Sequence, residues 1–136
     1  MIADVRSNFN ILILEDTEIQ RNLYRHVLEW EGYKTIGAEN AEEAFNLLLQ
    51  GIQVDLMVVD QMLPEINGDQ FLEKIHTDST FSRFRNTPFI FLTAYPDDKG
   101  ILAMGAKYLH MRVMRKPMND YHDLIVVADG TLGLQN

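Results

Sequence analysis

Carboxylates, a hydroxyl and an ammonium stand where apolar runs stop. Glu15-Asp16 follows Ile11-Leu12-Ile13-Leu14, Asp60 ends Leu56-Met57-Val58-Val59, Thr93 ends Phe89-Ile90-Phe91-Leu92, and Lys116 precedes Pro117. Continuous apolar runs of this length read as buried strands of a parallel sheet. Ligands of open α/β sheets bind outside the carboxyl ends of such strands, where strand order reverses. If the first and third runs are neighbours, Glu15, Asp16 and Asp60 converge. Carboxylates that close repel, and one must take up a proton unless a cation joins them. A hard cation with oxygen ligands, such as Mg2+, meets that need with one or two carboxylates and several waters. Thr93 adds a hydroxyl donor and Lys116 an offsetting charge, which is what Asp60 would need to hold a phosphoryl group. Phosphoryl transfer asks mostly for positioning and charge neutralisation, so nucleophile, metal, lysine and hydroxyl form a sufficient set. Taken singly the residues say less. Glu15-Asp16 reads equally well as negative charge at the positive end of the next helix. Thr93 alone is an ordinary strand end, and Lys116 alone a solvated lysine.

The elements that must position these residues follow from apolar spacing. Strands are expected at Asn10 to Leu14, Tyr33 to Ala38, Asp55 to Asp60, Pro88 to Thr93 and, briefly, Val113 to Arg115. A first helix is expected over Ile19 to Trp30, with Ile19, Leu23, Tyr24, Val27 and Leu28 at helical spacing and Gly32 ending it. A second runs from Ala41 to Leu49, with Ala41, Ala44, Phe45 and Leu48 inward and Gly51 closing it. A third runs from Gly68 to His76, with Phe71, Leu72 and Ile75 on one face. The stretch from Thr77 to Thr87 reads as a polar loop with stray aromatics. A fourth helix is expected from Asp97 to about Met111, against the weakening effect of Gly100 and Gly105. Asn119 or Asp120 caps a last helix, which fades by Gly130 and leaves Gly130 to Asn136 as a frayed tail. Strand and helix alternate five times, which implies a parallel sheet with helices on both faces and right-handed crossovers.

Composition narrows the classes. The 136 residues suit one domain, and 46% hydrophobic content supports a real core. No apolar stretch is long enough to cross a bilayer, and Met1 to Asn10 lacks a signal-peptide core. Cysteine is absent, which rules out disulfides and thiolate zinc sites and agrees with a cytoplasmic setting. The net charge of −8 argues against a nucleic-acid surface. His26, His76, His110 and His122 are scattered without ligand spacing and are assigned to surface or packing roles. Trp30 and the seven methionines are assigned to the core or its rim.

These residues resemble the receiver domain of two-component response regulators, over roughly Phe9 to Val127. The acidic pair after the first strand, the stretch Asp60-Gln61-Met62-Leu63-Pro64-Glu65-Ile66-Asn67-Gly68, Thr93-Ala94 and Lys116-Pro117 match that family's motifs in order. The resemblance implies a flavodoxin-like, doubly wound, five-stranded parallel sheet of order 2-1-3-4-5. It makes residues 1–136 a single receiver domain with a short N-terminal extension and a C-terminal tail, either stand-alone or cut from a longer chain. It implies a cytoplasmic phosphoprotein rather than an enzyme: a signalling switch in which Asp60 accepts a phosphoryl group. The donor would be a phosphohistidine on a sensor histidine kinase or a histidine phosphotransfer protein. Glu15, Asp16, Asp60 and the main-chain carbonyl of Met62 would hold Mg2+. Lys116 would contact the phosphoryl, Thr93 would move toward it, and Ala94 would leave it room. The Lys116-Pro117 bond would be cis. A downstream protein partner is implied without its identity, neither nucleic acid nor membrane is, and dimerisation stays open.

The chain departs from that family in two places. Val113 occupies the position, three before the lysine, where the family usually has an aromatic ring that moves with the threonine; Tyr108 is a candidate substitute. Gly105-Ala106 falls about four residues early, so either the fourth helix is displaced or it runs on through Tyr108-Leu109-His110. Met62 and Tyr95 would flank the mouth of the site, hinder attacking water and lengthen the life of a phosphoaspartate. Two rival readings remain. A receiver fold that docks a partner without phosphorylation is compatible with Val113. An aspartate-nucleophile phosphatase would want an aspartate where this chain has Met62, and a cap domain. Nucleotide binding lacks its glycine-rich loop after the first strand.

Overall fold

The computed structural model describes residues 2 to 134. Five parallel strands form one sheet in the order β2-β1-β3-β4-β5: β1 (Asn10–Leu14), β2 (Lys34–Ala38), β3 (Leu56–Asp60), β4 (Phe89–Thr93) and β5 (Met111–Arg115). The apolar runs are continuous because both faces of the sheet are covered. Alternate side chains then enter two different cores. Leu12, Leu14, Met57, Val59, Phe89 and Phe91 point to one face, where α3 (Ala41–Leu49), α4 (Gly68–Thr77) and α5 (Lys99–Lys107) pack. Ile11, Ile13, Leu56, Val58, Ile90 and Leu92 point to the other, under α2 (Glu18–Trp30) and α6 (His122–Thr131). The chain leaves β1 toward β2 on one side and reaches β3 on the other, so strand order reverses between β1 and β3.

Local chemistry fixes the helix ends. Asn40 accepts a bond from the Glu43 amide, and Asn67 and Gln70 form a reciprocal capping box at the start of α4. Asp98 accepts bonds from the Gly100 and Ile101 amides and starts α5. Gly32, at φ 112°, carries the left-handed turn that ends α2. The cap expected at Asn119 or Asp120 falls one residue later: α6 starts from Tyr121 without a side-chain cap, while the Asp120 carboxylate accepts a bond from the His122 amide at 2.9 Å.

Four expectations are corrected. The stretch Thr77 to Thr87 is not merely a polar loop. It contains a 3-10 helix, Ser79–Phe84, whose Phe81 and Phe84 are buried. The helix is kinked at Phe81, both rings face inward, and Phe81 meets Phe45 with centroids 5.1 Å apart. The fourth helix does not reach Met111. It stops at Lys107, because Tyr108 turns extended and buries its ring against His76 (4.3 Å) and Phe89 (5.8 Å), and β5 begins at Met111 rather than Val113. Gly105-Ala106 therefore lies in the last turn of α5, and the helix does not run on. Trp30 is 88% exposed, not core. Tyr24 and Leu28 define the buried side of α2, and Trp30 lies two residues, about 200°, past Leu28. Met62 is likewise exposed, whereas Met57 and Met114 are core; Met1 lies outside the described residues.

The ends are tied together. A short helix absent from the sequence-based expectation, α1 (Ile2–Arg6), delivers Arg6 to a site where it is 5% exposed. Its guanidinium donates two bonds to the Asp129 carboxylate, at 3.0 and 2.5 Å, and one to the Glu31 carbonyl at 3.1 Å. The Tyr33 hydroxyl also donates to Asp129. Burial would raise the Asp129 pKa, but the bonds from Arg6 and Tyr33 outweigh it and hold the carboxyl below its ordinary value. Beyond α6, Leu132 and Leu134 pack on the α2/α6 core, and the Leu134 amide donates to the Asp129 carbonyl at 2.8 Å. The expected fraying thus fails up to Leu134; Gln135 and Asn136 lie outside the described residues.

Removing one partner of a buried ion pair strands the other charge. Asp129→Ala should cost about 3 kcal/mol of stability in urea unfolding. Arg6→Met combined with Asp129→Leu should recover most of it.

Candidate functional site

The strand register brings the candidate residues to one edge. Leu14 pairs with Val59, Asp60 with Leu92, and Thr93 with Arg115. Glu15 is one residue past β1, Asp60 and Thr93 are the last residues of β3 and β4, and Lys116 is one past β5. Ligand oxygens of Glu15, Asp16 and Asp60 lie within 4.8 Å of one another. Lys116 Nζ is 2.9 Å from Asp60 Oδ2 and 3.7 Å from Glu15 Oε2. The Lys116-Pro117 bond is cis, and the Lys116 amide donates to the Thr93 carbonyl at 2.9 Å. The neighbouring strand ends are therefore stitched together by backbone bonds as well as by charge.

Burial makes the electrostatics severe. Glu15, Asp60 and Thr93 are buried, whereas Asp16 is exposed. Burial first, and the neighbouring Asp60 carboxylate second, push the Glu15 carboxyl up to about 8 despite the opposing charge of Lys116. Burial would lower the Lys116 pKa, but its bond to Asp60 and the surrounding carboxylates raise it instead. Glu15 Oε2 is buried without a hydrogen-bond partner. Three carboxylates facing one ammonium, with one orphaned oxygen, form a donor set suited to a hard cation.

The loop from β3 to α4 is held close by glycine. The Gly68 amide donates to the Gln61 carbonyl at 2.9 Å, and a Cβ added at Gly68 would lie 2.3 Å from the Asp60 carbonyl oxygen. The interval between Asp60 and Gly68 thus has a steric cause: the start of α4 rests on the backbone of the aspartate. Met62 donates its amide to Asp60 Oδ1 at 3.4 Å, while its side chain and that of Tyr95 are 74% and 71% exposed at the rim. Ala94 is also exposed, next to Thr93.

Two residues escaped the sequence reading. Gln61 accepts the Thr93 hydroxyl at 2.5 Å, while that hydroxyl oxygen accepts the Tyr95 amide at 3.0 Å. Arg21, on α2, donates to the Glu15 carbonyl at 2.8 Å and steadies the acidic loop. A polar residue directly after a strand-end aspartate was the only available sign of Gln61; Arg21 left none. One expectation is overturned. Tyr108 cannot replace the aromatic missing at Val113. It sits before Met111, which pairs with Phe89, whereas Thr93 pairs with Arg115. Four residues of strand, about 13 Å, separate the two edges. Val113 itself pairs with Phe91 and is 38% exposed.

The family model described as the response regulator receiver domain matches residues 11–126. The polar-differentiation response regulator DivK of Brucella anthropi is 33% identical over 86 residues, covering 63% of this chain and 67% of DivK. The response regulator SaeR of Staphylococcus aureus is 33% identical over 85 residues, covering 62% of this chain but only 34% of SaeR, so the match spans about a third of that protein. Among solved structures, the receiver domain of a signal transduction histidine kinase from Syntrophus aciditrophicus superposes with a TM-score of 0.77 at 26% identity, covering 92% of this chain and 90% of the other. A CheY-like receiver from Methanospirillum hungatei gives 0.78 at 23% identity, over 92% and 94%, and shares the fold.

Two outcomes follow from the geometry. Unfolded, Glu15 should ionise near 4.5, but folded only near 8. Between those values the folded protein holds a proton that the unfolded chain has lost. Stability without metal should therefore fall as pH rises through that window, by up to about 1 kcal/mol per pH unit. Urea titrations at several pH values check this, and Glu15→Gln should flatten the slope. Gly68→Ala, which forces a methyl group into the Asp60 backbone, should cost on the order of 2 kcal/mol or more in the same assay.

Proposed function

Because the chain belongs to the family of response regulator receiver domains, we propose that it is a phosphorylation-dependent signalling switch whose phosphoacceptor is Asp60. The observation that carries this reading is the 2.9 Å contact between Lys116 Nζ and Asp60 Oδ2 inside a buried acidic cluster. A nucleophilic carboxylate is thereby oriented, and the lysine is already in place to offset incoming negative charge. In this reading residues 1–136 form one receiver domain with its core at about 9–127.

The reaction balances simply. A carboxylate oxygen of Asp60 attacks phosphorus, an O–P bond forms, and the N–P bond to the donor histidine breaks. The departing imidazole keeps the bonding electron pair and takes up a proton. Lys116 holds one phosphoryl oxygen throughout, and the Thr93 hydroxyl can donate to another. Glu15, Asp16, Asp60 and the main-chain carbonyl of Met62 would hold Mg2+, whose charge, when present, neutralises the crowded oxygens. The orphaned Glu15 oxygen supports that assignment. Ala94, small and beside Thr93, leaves the phosphoryl room. Met62 and Tyr95 stand at the rim, where they would slow attack by water. The partners in this reading are a sensor histidine kinase or histidine phosphotransfer protein upstream and a protein target downstream. Catalysis is confined to the chain's own phosphorylation and dephosphorylation, in a cytoplasmic setting. Phosphorylation would act by shifting a pre-existing two-state equilibrium.

Incubation with Mg2+ and acetyl phosphate should add one phosphoryl group to the intact mass of the wild type and none to Asp60→Asn. Chelating Mg2+ or substituting Lys116→Met should slow the gain on the order of 100-fold. No gain in folded, Mg2+-treated wild type would overturn the reading in favour of a constitutive binding module.

A further inference from the structure

The Thr93 hydroxyl has one proton and, after phosphorylation, two acceptors competing for it. In the structure that proton goes to Gln61 Oε1, and the Tyr95 amide already occupies the hydroxyl oxygen as acceptor. Asp60 is served by other donors, the Lys116 ammonium and the Met62 amide. Thr93 is buried, so water does not substitute for a lost partner. Gln61 is also unusual in what can move. Its amide donates to the Leu92 carbonyl and its carbonyl accepts the Gly68 amide, both at 2.9 Å, so the backbone is pinned to β4 and to the start of α4. Only the side chain is free to respond. That side chain lines a cleft of about 270 Å³ between α4 and α5, together with Asp69, Asp98, Ile101, Met104 and Lys107.

Resting on the phosphoacceptor reading of Asp60, we propose that Gln61 is a positioning residue that latches the Thr93 hydroxyl away from the phosphoryl site and, once displaced, carries the signal into the α4–α5 cleft. When Asp60 gains a phosphoryl group, the Thr93 proton is drawn to a phosphoryl oxygen, a charged and therefore stronger acceptor. The amide oxygen of Gln61 is then left without its donor in a half-buried setting. It regains one from water by turning into the open cleft that Gln61 lines beside α5. Val113 cannot perform this relay. Its side chain has no hydrogen-bonding group and is partly exposed on β5. The route to the surface in this chain therefore leaves the site next to the phosphoacceptor itself, by way of the residue that follows it.

The test compares the wild type, Gln61→Leu, Thr93→Val and the double variant, each as the full chain. Two readouts are taken: the rate of mass gain with acetyl phosphate and Mg2+, and the backbone amide NMR spectrum. Gln61→Leu removes the latch, so phosphorylation should accelerate about fivefold, the worth of one ordinary hydrogen bond. Thr93→Val frees the Gln61 side chain without phosphorylation, so its α5 amides, Lys99 to Lys107, should already be displaced in the direction that phosphorylation moves those of the wild type, whereas those of Gln61→Leu, which lacks the relaying amide, should not. Adding Gln61→Leu to Thr93→Val should leave the rate unchanged, because the bond is already gone, and should return the α5 amides to their resting positions, because the relaying side chain is gone. A folded Gln61→Leu that is phosphorylated at the wild-type rate, or a folded Thr93→Val whose α5 amides do not shift in that direction, overturns the latch while leaving Asp60 as phosphoacceptor. Wild type that gains no mass removes both.

Discussion

Buried like charge at one sheet edge is the constraint on which the rest of the structure depends. Glu15 and Asp60 are both buried, with Asp16 beside them, and a single ammonium faces the group. Such a cluster is tolerable only if its members cannot drift and each has a defined source of compensation. Lys116 provides one source, and burial beside Asp60, which pushes the Glu15 carboxyl up to about 8, favours a neutral Glu15 wherever no cation is bound. The fold then supplies rigidity: the carboxylates sit at the ends of two neighbouring central strands, and the lysine at the end of an edge strand tied to Thr93 by a backbone bond.

Rigidity at the edge is inherited from the two cores. Alternation along β1, β3 and β4 sends every second side chain to opposite faces, so neither layer of helices can shift without moving the strand ends. Gly68 extends the same logic to the loop after Asp60. By letting α4 rest on the aspartate's own carbonyl, it fixes the distance between the site and the α4–α5 side of the molecule. Change at Asp60 is thus confined to side chains that have room to turn, and Gln61 is one that touches both the site and the cleft.

The opposite face is closed by a different device. Arg6, Tyr33 and Asp129 join segments distant in sequence, with the ion-pair partners 123 positions apart. This buried pair holds α1 and the end of α6 against the end of α2, which keeps the Ile11 and Ile13 side of the sheet covered. It lies away from the carboxylate cluster, so the stability of that layer and the chemistry of the site rest on separate charges.

The sequence by itself determined the strands, most helices, their parallel order through the motif resemblance, and the convergence of Glu15, Asp16, Asp60, Thr93 and Lys116. These are legible because burial on both sheet faces demands unbroken apolar runs, and a chemical site demands that the polar residues ending them be of particular types. Tertiary structure alone decided which partner each polar atom takes and where isolated large side chains go. Gln61 carries no periodic signal, and its bond to Thr93 exists only because β3 and β4 are adjacent. Arg6 looked like part of a loose extension until the ends of α2 and α6 surrounded it. Phe81 and Phe84 became core because a kinked 3-10 segment folded both onto the α4 side of the sheet, and Tyr108 left its helix because a ring-lined site received it. Trp30 went to the surface although its composition argued for the interior. Hydrophobic periodicity reports only the average direction of a segment, whereas a hydrogen bond or a buried ring depends on atoms that the chain brings together from distant positions.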